Sequence, residues 1–201
     1  MGTIVKDGVV DYILSGGIYI KPNFFKNKDF VGIKNELDTI PHEEMYQPEG
    51  TYYGNRFQAF PCYQINYENN YYSKIIHQEL EKLIKDPILK LEIVSRKVLT
   101  DEVKQSKSYG PYANVHTDGL KDSVGTVIAG MMYFEQSFDG GTAFFEKMWD
   151  KVPDIYISAF PNRLVLYYGG RPHAPAIDYT FKERLTLSFF ITVKDKKNNE
   201  K

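Results

Sequence analysis

The period of the apolar positions changes once along the chain. Early on, Phe30, Ile33 and Leu37 recur at helical spacing after Asn27, a residue suited to capping, and this predicts a helix over about 27–37. Ile76, Leu80 and Leu83 repeat that spacing and predict a second helix over about 71–85, stopped by Asp86-Pro87. A short strand is expected at 17–21, ended by Pro22. Residues 41–70 hold Pro, Gly, Asn and Tyr without a clear period and read as a loop with a short strand near 59–65. From Leu89 the texture becomes that of strands. The candidates are 89–103, 111–118, 125–135, 142–146, 154–159, 163–168, 173–178 and 184–193. Turn signals separate them at 108–110, 139–141, 161–162 and 169–170, with Gly140-Gly141 read as a hairpin turn. Short strands at this spacing, preceded by two helices, predict a β-rich α+β fold: a jelly roll (double-stranded β-helix) with the helices packed on one sheet.

Composition narrows the classes. The 201 residues suit a single domain, with 1–88 giving helices and a substrate loop, 89–193 the strand core, and 194–201 a polar tail. The 16 Tyr and 13 Phe favour a β-rich interior. A net charge of -1 without a basic block leaves no electrostatic footprint for nucleic acid. Cys62 stands alone, so no intramolecular disulfide forms, and it reads as a small buried hydrophobe. Residues 1–8 lack a signal-peptide pattern and no apolar run reaches membrane-spanning length, so a soluble cytoplasmic protein is expected.

Four histidines are present: His42, His77, His116 and His173. His116 and Asp118 are two apart, so on a strand both side chains project to one face. His173 follows 57 residues later, after a Gly-Gly turn. Two imidazoles and one carboxylate on one face of an octahedral ion leave three positions open, the arrangement of non-haem Fe(II) oxygenases. His-x-Asp alone is a weak signal, and His173 alone reads equally as a loop histidine bonded to backbone. Arg184 adds to them: it opens an apolar strand 11 residues after His173. An inward guanidinium is costly unless it meets an anion, and its fork matches a carboxylate. Thr186 lies two residues along on the same face and can donate to the same anion. Taken singly, Arg184 reads as one half of a structural salt bridge.

The order His-x-Asp, distal His, Arg with a nearby hydroxyl resembles the Fe(II)/2-oxoglutarate-dependent dioxygenases. Met132-Tyr133-Phe134 followed by 139–145 (DGGTAFF) is similar to a segment of their prolyl-hydroxylase-like branch. Residues 160–167 (FPNRLVLY) look like the strand before its distal His, and 17–37 resembles the strand and helix that open such domains. The resemblance implies Fe(II) held by His116, Asp118 and His173, with 2-oxoglutarate as co-substrate and O2 as oxidant. It implies that Arg184 pairs with the 5-carboxylate of 2-oxoglutarate, helped by Thr186 or Ser188, and that Tyr133 or Tyr112 donates a phenol hydrogen bond. It also implies hydroxylation of a C–H bond, since the carboxylate of Asp118 occupies the place a halide takes in halogenating relatives. Two departures stand out. Such hydroxylases commonly carry a Tyr three residues before the first metal His, whereas Tyr112 is four before, and their anion-binding residue is often Lys rather than Arg.

The resemblance makes a prolyl residue in a peptide or protein the first candidate substrate, with a small molecule next. Substrate contacts are expected from 41–70, including Tyr46, Tyr52, Tyr53, Arg56 and Tyr63, with Arg171 and Trp149 as further candidates and Arg163 outside the pocket. The competing reading is a non-catalytic jelly-roll module that binds metal or sugar.

Overall fold

The computed structural model describes residues 3, 5, 8–44, 62–105, 110–112, 115–119 and 125–195. Three helices precede the strand-rich half: α1 (Val9–Leu14), α2 (Asn27–Thr39) and α3 (Tyr71–Ile84), interleaved with β1 (Tyr19–Lys21), β2 (Glu43–Glu44) and β3 (Tyr63–Asn66). Then come β4 (Ile88–Leu99), α4 (Thr100–Gln105), β5 (Thr126–Tyr133), β6 (Ser137–Phe144), β7 (Ile155–Ala159), β8 (Leu164–Tyr168), β9 (His173–Ala176) and β10 (Glu183–Val193).

Both expected helices form on the faces their periodicity marks. Phe30, Ile33 and Leu37 of α2 are buried, as are Ile76 and Leu80 of α3, while Leu83 is partly buried and Ile84 takes the innermost place of the last turn. α3 starts with a reciprocal cap, in which the Asn70 side chain accepts from the Ser73 N–H and the Ser73 hydroxyl from the Asn70 N–H. It ends on Lys85 in the left-handed region at φ 63°. Asn27 is not the cap of α2: it is the first helical residue, after Lys26, which caps without a side-chain bond. α1 and α4 are additions to the expected pattern, both only 6 residues long, too short for a periodic signal. α4 replaces the end of the strand expected at 89–103 because Thr100 turns the chain, its hydroxyl donating to the carbonyls of Phe181 and Lys182.

The strands make two antiparallel sheets. The large one runs β1-β8-β5-β10-β4-β3-β2 and the small one β7-β6-β9, the face-to-face arrangement of a jelly roll. Alternation sorts the large sheet by face. Leu185, Leu187, Phe189, Ile191 and Val193 of β10 join α1, α2 and α3 in the main apolar core, with Ile128 and Met132 of β5 and Leu164 and Leu166 of β8. The other face looks across at the small sheet: Ala129, Met131 and Tyr133, with Val165 and Tyr167, pack on Phe144 and Ile157. The space between the sheets is where the candidate chemistry lies.

Gly140-Gly141 does not make a hairpin turn. Both lie inside β6, where the pairing with β7 slips between Ser137 and Gly141. Gly141 has φ 149°, and a β-carbon there would stand 2.1 Å from the Ile157 carbonyl oxygen, so the bulge requires glycine. No described helix is long and apolar enough to cross a membrane.

Candidate active site between the sheets

His116 and His173, far apart in sequence, are direct partners across an antiparallel pair. Each backbone N–H donates to the other's carbonyl at 2.9 Å, which brings the imidazole centroids to 4.4 Å. Asp118 is fixed two residues on, its N–H donating to the Gly169 carbonyl at 2.8 Å. Gly169 permits that approach, because a β-carbon there would stand 2.5 Å from the Gly119 carbonyl oxygen. One ligand atom from each of His116, Asp118 and His173 falls within 4.8 Å of the others.

The donor set fits a divalent transition metal. His173 Nδ1 lies 3.0 Å from the Arg171 carbonyl oxygen, so a proton on that nitrogen has an acceptor and Nε2 is left to take either a proton or a metal. Asp118 Oδ2 is 3.2 Å from this Nε2, and Asp118 Oδ1 is 3.7 Å from His116 Nε2. Lone pairs facing at such distances repel unless a cation, either proton or metal, lies among them. Burial works to raise the pKa of Asp118, but the charges of His173 and His116, the His173 hydrogen bond and Arg96 outweigh it and hold the carboxyl well below the usual range. The carboxylate therefore stays ionised and ready to ligate.

Tyr167 completes the cluster, and the sequence reading missed it. Its hydroxyl donates to Asp118 Oδ2 at 3.0 Å and lies 3.0 Å from His173 Nε2, while its ring meets Phe144 and His173 edge-on. Its place on an inward-facing position beside Val165 was the available signal. A hydrogen bond to a ligating carboxylate typically contributes about 10–100-fold in metal affinity. Tyr167→Phe is therefore expected to weaken Fe(II) or Ni(II) binding by about tenfold in calorimetry; unchanged affinity would leave the hydroxyl no part in the site.

Arg184 lies farther into the chamber. It is buried, Nη2 donates to the Gly141 carbonyl at 3.1 Å and touches Met131 Sδ at 3.3 Å, and Nε has no partner. Among the described residues no carboxylate is within ion-pair distance, so the salt-bridge alternative finds no support. Burial pulls its pKa down from the usual guanidinium value. Beside it, the buried hydroxyls of Thr186 and Ser188 also lack partners. A guanidinium and two hydroxyls without partners on one strand face are a donor set that an anion would satisfy. Tyr133 borders it, with its ring centroid 5.9 Å from the Arg184 guanidinium and its hydroxyl 2.7 Å from Thr142 Oγ1.

Tyr112 does not join this chamber. It packs edge-on against Phe145 at 5.7 Å on the outer face of the small sheet, with Ala143 and Ala174. The expected strand 111–118 is only two bridges, Tyr112 to Ala176 and His116 to His173. The pairing slips by one residue between them, which turns Tyr112 outward while His116 points inward. His42 bonds Ser95 and the Ile40 carbonyl, and His77 faces Glu81 on α3, so neither belongs to the cluster. Arg163 donates to the Ser158 carbonyl and covers Phe160. Arg171 donates to the Gly16 carbonyl, and Trp149 is exposed on a turn. Cys62 is buried with Val98, Val103 and Ile177, and burial raises its thiol pKa. Tyr46, Tyr52, Tyr53 and Arg56 lie outside the described residues, while the Tyr63 hydroxyl donates to Glu102.

Solved structures share this architecture. A prolyl-4-hydroxylase from Pseudomonas putida superposes with TM-score 0.59 at 15% identity, covering 93% of this chain and 98% of its own. The fold is that of the 2-oxoglutarate and Fe(II) oxygenases. A second example of this oxygenase fold, an oxidoreductase of the 2OG-Fe(II) oxygenase family from Burkholderia pseudomallei, gives TM-score 0.59 at 11% identity over 97% of this chain and 98% of its own. HygX from Streptomyces hygroscopicus, solved with nickel and 2-oxoglutarate bound, gives 0.60 at 11% identity over 95% and 88%. No family model and no curated protein matches the sequence. At these identities the likeness establishes the oxygenase fold, and the chemistry is argued from the residues themselves.

Proposed function

We propose that this chain is an Fe(II)- and 2-oxoglutarate-dependent dioxygenase that hydroxylates a C–H bond, with a prolyl residue of a peptide or protein as the first candidate substrate. The convergence of His116, Asp118 and His173, in the same chamber as an unpaired buried Arg184, carries this reading. In it the imidazoles of His116 and His173 and the carboxylate of Asp118 would hold the metal. Arg184, with Thr186 or Ser188, pairs with the 5-carboxylate of 2-oxoglutarate and orients that co-substrate toward the metal. Fe(II) with 2-oxoglutarate and O2 would supply the oxidising power, with succinate and CO2 as co-products. Tyr167 steadies Asp118, and the apolar walls of Phe144, Met131 and Val165 keep water from the reacting centre. Residues 1–201 act here as one oxygenase domain, with 1–88 bringing the helices and the substrate loop and 89–193 the jelly-roll core.

Anaerobic addition of Fe(II) and then 2-oxoglutarate tests this. The intact protein is expected to develop a weak visible absorption band, and His116→Ala and Arg184→Ala are each expected to abolish it. An intact protein without the band would instead be a non-catalytic binding module.

A further inference from the structure

The chamber holds a second guanidinium that the proposed roles do not use. Arg96 lies on β4, directly paired with Thr186 on one side and Gln64 on the other. Val98, two residues along, is paired directly with Arg184, so register and alternation send Arg96 to the same inner face as Arg184 and Thr186. Its guanidinium lies over the Phe190 ring at 5.6 Å, and its Nε is buried without a partner. No carboxylate among the described residues stands within ion-pair distance. Its charge is nonetheless felt by Asp118, whose carboxyl it helps hold ionised, and by Arg184, which it opposes. Arg96 therefore shares the inner sheet face with Arg184, Thr186 and Ser188, on the side toward β3.

Charge balance says what it awaits. In the proposed complex, the ferrous ion and Arg184 are neutralised by Asp118 and the two carboxylates of 2-oxoglutarate. Both carboxylates of the co-substrate are then committed, one at the metal and one at Arg184. Arg96 then remains as a half-buried positive charge whose buried Nε has no partner, and an unmatched donor and charge there are costly. A group that brings one more anion removes that cost and is held by a forked, charge-assisted contact.

We propose that Arg96 anchors an anionic group, a carboxylate or a phosphate, on the substrate. This rests on the oxygenase reading above and makes the substrate acidic. The contact with the Phe190 ring restricts where the guanidinium can lie, which favours recognition by a fork over a mobile charge.

The test uses protein loaded with Ni(II) and 2-oxoglutarate, which binds without turnover, and calorimetric titration. The probes are a panel of N-acetyl-L-amino acids, each against its amide, and a panel of sugar phosphates, each against the parent sugar. Members that bind are expected to do so at least tenfold more tightly than their neutral counterparts, and the panel that responds distinguishes carboxylate from phosphate. Arg96→Met retains an apolar contact with Phe190 and is expected to erase that preference while leaving the 2-oxoglutarate Kd within threefold; Arg96→Lys should restore part of it. The proposal is overturned if no anion outbinds its neutral counterpart on the native protein, or if Arg96→Met keeps the preference. It is equally overturned if Arg96→Met weakens 2-oxoglutarate as severely as loss of Arg184 does. The same titrations without 2-oxoglutarate separate the two ideas. Arg96-dependent anion binding to protein that never binds 2-oxoglutarate would sink the oxygenase reading and leave the anion site standing.

Discussion

Asp118→Ala is expected to cut succinate formation by at least about 1,000-fold, equivalent to roughly 4 kcal/mol of lost transition-state stabilisation, while the metal-free protein still folds. The loss follows from the donor set. Without the carboxylate, two neutral imidazoles remain, and the charge that offsets a divalent cation has gone. Folding should survive because Asp118 is tied to the scaffold through its backbone N–H and the Gly169 carbonyl, a bond the substitution leaves intact. The Tyr167 hydroxyl keeps a partner in His173 Nε2. Removing the carboxylate also removes its desolvation cost, so the two effects on stability oppose each other. Circular dichroism melts of metal-free native and variant protein, run beside a succinate assay, check both halves. Normal turnover in the variant would remove Asp118 from the metal.

Arg184→Met is expected to split affinity from stability. A forked guanidinium–carboxylate contact contributes about 3 kcal/mol, so the 2-oxoglutarate Kd should rise roughly 100-fold, with Ni(II) affinity nearly unchanged. Without ligand, however, the native Arg184 is a buried cation whose described contacts are one carbonyl, one thioether and an aromatic ring. Replacing such a group with an apolar one of similar reach is often neutral or stabilising. The ligand-free variant should therefore melt at or above the native temperature, and 2-oxoglutarate should raise the native midpoint far more than the variant's. Equal losses of metal and 2-oxoglutarate affinity would contradict a role confined to the co-substrate. A large drop in the ligand-free midpoint would show that the residue is a structural support.

The parts of this molecule legible in one dimension are those set by local period. The buried faces of α2 and α3 follow from Phe30, Ile33, Leu37, Ile76 and Leu80, because a helical face is fixed by spacing alone. Arg184 with Thr186 and Ser188 was legible for the same reason, since β10 is regular through those positions and alternation put all three on one face. Tyr112 was not legible. The slip between its bridge and that of His116 reverses one face relative to the other, and no residue type announces it. The Gly140-Gly141 pair misled because glycines serve turns and bulges alike, and only the pairing with β7 distinguishes them. Arg96 and Tyr167 carried the inward-face signal used for Arg184, in the alternations Val94, Arg96, Val98 and Val165, Tyr167; Tyr167 even closes the segment 160–167, yet the reach of a side chain to a distant carboxylate is not written in its own strand.

The sequence by itself determined the strand-rich class, the two long helices and the identity of the residues able to ligate a metal, since each depends on residue type and near-neighbour spacing. Only the tertiary structure decided that His116 and His173 pair across strands and that Tyr167 reaches Asp118. It alone put Arg96 and Arg184 in one chamber with unequal company. Those facts depend on register between distant segments, and register is fixed by the packing of whole sheets.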